Sequence, residues 1–247
     1  MGRPMVQRPA LAVGGIAVMA AGVVLAFGWF DETTTERTST FAADEVDRIA
    51  VDVGGGNVAV RVEDVDEITV VERFSYRWNE PGDAHSVSDG ALHLDGCAMW
   101  CRVDHEVVVP RALAVDGEIG SGTLDIEGAS SADVRAGSGT LRLSDVTGDV
   151  QVDVGSGTAE FTGIGGEVVA DAGSGSLVGR DLRGAVEADA GSGRVDLELA
   201  EAADVTASVA AATCASSSPT GTTASRATPA AGRASSASAT TPTPRTP

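Results

Sequence analysis

Four side chains with metal-binding chemistry recur at steps of four residues in the middle of the sequence: His93, Cys97, Cys101 and His105. Two histidines and two cysteines can bind zinc tetrahedrally, but side chains four residues apart share one face only in a helix. The flanking segments 91–94 and 102–109 alternate apolar and polar residues as β-strands do, and Gly96 interrupts the stretch between them. Two cysteines this close usually pair in an oxidising compartment. We therefore predict a Cys97–Cys101 disulfide, with zinc as the alternative.

A column of acids provides a second set of candidate metal ligands. Asp153, Asp171 and Asp189 each stand two residues before a Gly-Ser-Gly tripeptide. If the repeats stack, neighbouring acids lie about 4.8 Å apart, and calcium prefers carboxylate oxygens. The sequence lacks the GGxGxDxUx pattern of calcium-binding coils. We therefore predict solvated acids and no metal, with calcium as the weaker alternative.

The Gly-Ser-Gly tripeptides are the remaining candidates for chemistry, as phosphate-binding loops or as serine nucleophiles. The chain contains no Lys, which a P-loop requires, and no unit contains the GxSxG pattern of a nucleophile elbow. Several near-copies of one motif are typical of architecture. We therefore predict a protein that is not an enzyme, with no catalytic residues and no cofactor.

These tripeptides also predict the fold, since they begin at Gly120, Gly137, Gly155, Gly173 and Gly191. Each unit reads as two short alternating strands around a glycine turn. Aligning the units puts apolar residues in three columns: Leu124, Leu141, Ala159, Leu177 and Val195; Ile126, Leu143, Phe161, Gly179 and Leu197; and Val134, Val150, Val168, Val186 and Val205. No helical period lies between the turns. We predict an all-β, single-stack β-solenoid of about 18-residue coils over 41–209, regular from 120.

The part of this region upstream of the regular repeats contains further strands and one candidate for a functional loop. Strands are predicted at 67–76, 91–94, 102–109 and 113–119, and on both sides of the glycines at 54–56. The segment 78–90 contains a Pro-Gly turn and is the longest predicted loop. Binding residues often lie on loops held by a scaffold, although a neutral insertion is the simpler interpretation. Residues 31–40 are predicted to be a polar stalk.

The N-terminal residues predict where the protein is located. Residues 10–30 carry no charge and as a helix span about 31 Å, which matches a hydrocarbon core of roughly 30 Å. Arginines precede this run and acids follow it, so residues 1–9 are expected in the cytoplasm and the rest outside the cell membrane. A signal peptide cleaved near Ala20 is the alternative. We predict one transmembrane helix, and both interpretations place the cysteines where disulfides form.

Charge excludes one class of partner. Asp and Glu number 36 against 17 basic residues, which gives a net charge of −19. All the acids lie within residues 31–209. Nucleic-acid binding requires clustered cations, so we predict no nucleic-acid partner. Only nine residues are aromatic and 31 are Gly, which indicates a narrow interior of small side chains.

Together these features resemble those of a known family. The single-span N-terminus, the stretches VDVGGGNVAVRV and CRVDHEVVVP, and the repeated GSG-T-L units are similar to those of the bacterial and archaeal putative-adhesin family, a domain of unknown function. The resemblance covers roughly residues 41–209. It implies a cell-envelope β-solenoid and brings no catalytic residues.

From this resemblance we expect a membrane-anchored protein outside the cytoplasm with a structural, scaffold or surface-interaction role. The expected partners are the membrane, through residues 10–30, and an envelope glycan or protein. One alternative is a β-helix that binds or acts on envelope polysaccharide. A second is an accessory module of envelope signalling.

The composition changes abruptly after Val209, and residues 210–247 contain no acid. The simple interpretation is a disordered low-complexity tail. However, residues 210–215 can be written in codons that read Gly-Ser-Gly-Asp-Val-Arg after a shift of one base, which would begin another repeat. We therefore hypothesise that a one-nucleotide change near Ser208 replaced the last repeats, and the DNA sequence of the gene tests this.

Overall fold

A computed structural model describes residues 19–21, 33–98, 100–200, 204–209 and 213–217. All regular elements in these ranges are strands, and they belong to one 15-stranded sheet. The first seven strands are β1 (Met19–Ala21), β2 (Thr33–Ala42), β3 (Arg48–Val62), β4 (Glu67–Tyr76), β5 (His85–Ser88), β6 (Ala91–Asp95) and β7 (Cys101–Val109). The others are β8 (Ala114–Glu127), β9 (Ser131–Ser144), β10 (Val150–Val154), β11 (Thr158–Thr162), β12 (Val168–Leu182), β13 (Val186–Leu199), β14 (Val205–Val209) and β15 (Thr213–Ser217).

The strands that contain Gly-Ser-Gly pair in parallel and in register. Leu124 is opposite Leu141, and Leu177 is opposite Val195. The first two predicted columns are confirmed along their whole length. Equivalent residues therefore stack on one another, and their apolar side chains form a continuous core.

The third predicted column contains one error. Val150, Val168, Val186 and Val205 do pair in succession, but Val150 is opposite Ala132, and Val134 is opposite Val152. Ala132 and Val134 are two residues apart on β9, and both are buried. Positions two apart on a strand share one face, so alternation alone cannot choose between them, and the more apolar residue was the wrong choice.

The first part of the chain is built differently. β4 pairs antiparallel with both β2 and β7, and β5 pairs antiparallel with β6. β3 lies between β8 on one side and β6 with β7 on the other, in parallel register with all three. The chain therefore leaves the parallel array after β3, forms the antiparallel strands, and returns at β8.

The predicted single-stack β-solenoid is wrong. The strands form a closed parallel barrel of four strands to which outer strands are added, and their order in the sheet does not follow the sequence. The solenoid prediction depends on a Gly-Ser-Gly corner in each repeat. Residues 63–113 contain no Gly-Ser-Gly. This segment forms β4 to β7 instead, which combine antiparallel pairs with parallel pairing of β6 and β7 to β3.

The predicted transmembrane helix is also not observed. Among the described residues, no helix is both long and apolar enough to cross a bilayer. Met19–Ala21, inside the predicted span, form β1 and pair with β2. The rest of 10–30 lies outside the described residues.

Two further predicted segments lie in the sheet. Residues 33–42 include most of the predicted stalk, but they form β2, which pairs with β4 along its whole length. In the predicted tail, β15 pairs in parallel with β13, with Cys214 opposite Val195. The separation of Cys214 from Val195 in the sequence is close to the repeat length, so β15 occupies the position of a further repeat. The rest of the tail lies outside the described residues, and the frameshift hypothesis stays a prediction about the gene.

Glycine is required at the third position of each tripeptide because the stacked backbones approach too closely for a side chain. A Cβ placed on Gly157 would lie less than 3.0 Å from both the carbonyl oxygen and the nitrogen of Gly139 in the neighbouring strand. The same contact recurs between Gly175 and Gly157 and between Gly193 and Gly175. The serine between the glycines is exposed, as at Ser156.

We expect Gly157→Ala to lower the free energy of unfolding by about 1–3 kcal/mol, because the added methyl group must displace rigid backbone rather than a side chain. Ser156→Ala, one residue away on an exposed side chain, is the matched control and should change stability by less than about 0.5 kcal/mol. Urea denaturation of both variants measures the difference. Equal midpoints for the two variants would show that the backbones are not in contact here.

Candidate binding site at the disulfide loop

The predicted disulfide is confirmed. Cys97 and Cys101 are joined, and they close the short connection between β6 and β7. The second, smaller core lies beneath this loop and consists of Phe74, Ala84 and Val103, with both cysteines packed against it. The disulfide therefore ties the loop to the ends of the antiparallel strands.

Two tryptophans are exposed at this same end of the sheet. Trp78 is 77% exposed and Trp100 is 68% exposed. Tyr76 is paired with Cys101, so each tryptophan lies within two residues of one cross-strand pair. Among the described residues, Val65 at 39% is the other exposed large apolar side chain. In the described part of the chain, the two most exposed large apolar side chains thus lie near, in sequence, a cross-strand pair that contains a cysteine of the disulfide.

Trp100 is held in a conformation that tryptophan rarely adopts. Its φ of 71° lies in the left-handed region, which costs a residue with a Cβ roughly 1–2 kcal/mol. Such conformations persist only where the surroundings impose them, and they cluster at binding sites. Trp100 stands directly before Cys101 in the loop that the disulfide closes, and its side chain is exposed to solvent.

Arg37 on β2 anchors the loop that carries Trp78. Its guanidinium donates to the backbone carbonyl oxygen of Pro81 at 2.8 Å, to Glu80 at 3.0 Å and to Asp83 at 3.2 Å. The guanidinium carbon also lies 5.1 Å from the centroid of the Phe74 ring. The Arg37 side chain is only 15% exposed, so these contacts are partly shielded from water and fix the loop.

A buried cluster of titratable side chains lies beneath the same loop. The Glu72 side chain on β4 is 1% exposed, that of His105 on β7 is 0% exposed, and that of His85 on β5 is 8% exposed. Glu72 Oε1 lies 3.0 Å from His85 Nδ1 and 3.8 Å from His105 Nδ1, and it accepts a 2.9 Å hydrogen bond from the Ala84 backbone N–H. His105 Nε2–H donates to the Asp95 carbonyl oxygen at 3.1 Å.

The two histidines in this cluster have opposite pKa shifts. Pairing with the Glu72 carboxylate raises the pKa of His85, and the charge of Asp83 adds to the effect, although burial offsets part of it. Burial lowers the pKa of His105, and its hydrogen bond to Asp95 and the charge of Glu72 only partly compensate. One imidazole is therefore inclined to carry the proton and the other to be neutral.

The four residues of the zinc alternative do not come together as a ligand set. Cys97 and Cys101 use their sulfurs in the disulfide, and His105 is turned towards Glu72 and Asp95. Among the described residues, no group of three or more His, Cys, Asp or Glu is placed to hold a metal ion.

The structure places Asp153, Asp171 and Asp189 directly opposite one another. The column continues beyond the acids predicted from the sequence, since Arg135 lies between Glu118 and Asp153. At the other end, Asp189 accepts a hydrogen bond from Ser208. The cation and the hydroxyl group reduce the repulsion along the column. Whether calcium binds there stays a prediction.

Sequence reasoning located this loop but did not find the residues beneath it. The loop 77–84 begins one residue before the predicted 78–90 segment, and the remainder of that segment forms β5 and a turn. Glu72 could have been found, because it alternates with Ile68, Val70 and Phe74 on the inward face of β4. No sequence signal places Arg37 against this loop, since 43 residues separate it from Glu80.

No family model and no curated protein matches the sequence. Among solved structures, the chain is similar to a putative cell adhesion protein from Clostridium sporogenes, with 11% identity, a TM-score of 0.40, and coverage of 68% of this chain and 100% of that chain. It is also similar to a putative adhesin from Bacteroides fragilis, with 14% identity, a TM-score of 0.39, and coverage of 78% and 94%.

A third similar structure is a putative lipid binding protein from Parabacteroides distasonis, with 12% identity, a TM-score of 0.43, and coverage of 81% of this chain and 95% of that chain. Proteins described as putative adhesins, the kind of protein that the sequence resembles, are thus among the solved structures to which the chain is similar.

We expect Arg37→Ala to release the loop 77–84, because the variant loses three charge-assisted hydrogen bonds and the contact with the Phe74 ring. A loss of about 2 kcal/mol raises the open population roughly thirtyfold, and cleavage of the loop by proteinase K should accelerate accordingly. Arg180→Ala, at an exposed position on β12, is the control and should be cleaved at the wild-type rate. Unchanged cleavage of the Arg37 variant would contradict this role.

Proposed function

We propose that this protein is a non-catalytic, adhesin-like binding protein of the cell envelope that contacts its partner through Trp78 and Trp100. The observation that carries the proposal is the exposure of these two side chains, since among the described residues Val65 is the only other large apolar side chain that is exposed. Tryptophan is enriched among the residues that dominate binding energy. The disulfide and Arg37 hold both tryptophans in place before binding, which reduces the entropic cost of association.

The partner that fits this surface best is a neutral envelope glycan. An indole offers a flat apolar face to the C–H face of a sugar ring, and the exposed carboxylates of Glu80 and Asp83 close to Trp78 can accept hydrogen bonds from sugar hydroxyls. The net charge of −19 repels an acidic polysaccharide at a distance. The same charge disfavours nucleic acid.

This proposal is tested by titrating the full chain with soluble neutral glucans and, separately, with a uronic-acid polysaccharide, following tryptophan fluorescence and isothermal titration calorimetry. We expect a neutral glucan to bind, and Trp78→Ala and Trp100→Ala each to weaken binding at least about tenfold. Val65→Ala removes the other exposed apolar side chain and is the control with unchanged affinity. If neither the neutral glucans nor the acidic polysaccharide binds, the glycan proposal is wrong and the partner is to be sought among proteins.

We also propose that the described domain lies outside the cytoplasm. The disulfide supports this location, because such bonds persist in oxidising compartments and are rare in the cytosol. The attachment of residues 10–30 to a membrane stays a prediction.

The location is tested by adding proteinase K to intact cells whose outer layers have been opened but whose inner membrane is sealed. We expect the domain to be degraded while a cytoplasmic marker protein survives. Amine-reactive surface labels are unsuitable, since the chain has no Lys. Protection of the domain until the membrane is dissolved would contradict the proposed location.

A further inference from the structure

The buried cluster of Glu72, His85 and His105 holds together parts of the chain that come from different elements. Glu72 lies on β4 and His105 on β7, and these two residues are directly paired. His85 begins β5, which pairs with β6. The cluster is therefore one polar contact between the antiparallel strands and the segment 77–95, which includes the loop with Trp78. Arg37 contacts the same segment at residues 80–83, and β6 at its end pairs with β3.

Two hydrogen bonds connect this segment to the cluster. The Ala84 backbone N–H donates to Glu72, and His105 donates to the Asp95 carbonyl oxygen. The segment is closed on itself between the same two residues, since the Asp95 N–H donates to the Ala84 carbonyl oxygen at 2.7 Å. Movement of the segment away from β4 and β7 must break the first two bonds.

Three buried polar atoms in the cluster have no aligned hydrogen-bond partner: Glu72 Oε2, His85 Nδ1 and His105 Nδ1. Such atoms are rare in folded proteins and require an explanation. The residues are not arranged to hold a metal. The ligand that this geometry suits is the proton, because both histidine nitrogens face one carboxylate at 3.0 and 3.8 Å.

Charge balance decides how many protons the closed cluster accepts. A buried carboxylate needs one counter-charge, and a second positive charge in the same apolar surroundings is costly. Two other acids act on the cluster from outside it: the charge of Asp83 favours protonated His85 and that of Asp104 favours protonated His105, although both effects are smaller than the leading causes. Asp83 is already paired with Arg37 at 3.2 Å, and Asp104 on β7 contacts the Arg102 guanidinium and the Asn57 backbone N–H at the surface. The closed arrangement is therefore neutral when one of the two histidines is protonated.

We propose that Glu72, His85 and His105 form a pH-sensitive latch that holds the segment 77–95 closed when His85 is protonated and His105 is neutral. At acidic pH, His105 is protonated as well, the cluster then holds two protons, and the latch opens. At alkaline pH, His85 loses its proton, neither imidazole is charged, and the latch loosens. The regulation is a property of the fold and does not depend on the proposed glycan binding.

The direction of each change follows from the shifts described above. His105 binds a proton less readily in the closed state than in the open state, where its pKa is near the ordinary 6.5, so closure weakens as the pH falls below about that value. His85 binds a proton more readily in the closed state, so its contribution is complete below 6.5 and is lost as the pH rises through its raised pKa. Each proton changes the opening equilibrium by up to about tenfold per pH unit.

The test is amide hydrogen exchange of the full chain in detergent between pH 5 and pH 8.5, corrected for the intrinsic pH dependence of exchange. The Ala84 amide, which donates to Glu72, reports the latch. The Val168 amide, bonded to Ala185 at 2.9 Å in the parallel region, is the internal reference. We expect protection of Ala84 to pass through a maximum near pH 6.5 and to fall on both sides, by up to about tenfold per pH unit, while that of Val168 stays constant.

Each histidine variant should remove one side of this profile. His105→Gln removes the acid side and leaves the alkaline side, and His85→Gln does the reverse. His93→Gln changes the remaining histidine of the chain, which lies on β6 outside the cluster, and should leave the profile intact. Where a variant does not fold, NMR titration of the wild-type imidazoles gives the same information, because His85 must titrate above His105.

A flat Ala84 profile would overturn the latch, as would an acid side that survives in His105→Gln or a reversed order of the two imidazoles. None of these measurements includes a glycan. Failure of the latch is therefore distinguishable from failure of the proposed binding function.

Discussion

The close contact of stacked backbones at the Gly-Ser-Gly corners is the constraint on which the parallel part of the structure depends. At the glycine in the third position of the tripeptide, the carbonyl oxygen of the neighbouring strand occupies the place that a side chain would take. Because glycine has no side chain to fill this place, the backbones can approach, and the long strands β8 and β9, and likewise β12 and β13, pair in register. The interior that results is narrow, so it is filled by Val, Ile, Leu and Ala, with Phe161 as the large exception. The low aromatic content follows from this geometry.

Where the Gly-Ser-Gly corners are absent, the strands β2, β4 and β7 pair in antiparallel fashion. The antiparallel strands β2, β4 and β7 end in a small core beneath a disulfide, and they bury a carboxylate between two imidazoles. Burial of charge costs stability unless it is paired, and the parallel part avoids it almost entirely, since its acids lie on the exposed face. The end of the molecule with costly features, including the left-handed Trp100, is also the end that exposes its tryptophans.

Much of the architecture could be predicted from the sequence, because short-range patterns carry it. Alternation located β4 at residues 67–76, as the structure has it, and the Gly-Ser-Gly period gave the partners in two of the three apolar columns. The solenoid was wrong because a period describes only the residues that contain it, and residues 63–113 do not. Val134 was misplaced because both it and Ala132 face inward. Of the candidate site, the disulfide and the loop were predicted, but Arg37 and the two histidines beside Glu72 were not.

The sequence by itself determined which residues face inward, which neighbours stack and which cysteines pair, because strand alternation, repeat length and a four-residue spacing act over short distances along the chain. Only the tertiary structure decided that the chain leaves the parallel array after β3 and returns at β8 beside it, that Arg37 contacts the loop at Glu80, and that Glu72 lies beside two histidines. These contacts join residues far apart in sequence, and long-range contacts of this kind depend on how whole strands are ordered in the sheet. The order of the strands in the sheet is set by the packing of the completed core, so it cannot be inferred from a local sequence pattern.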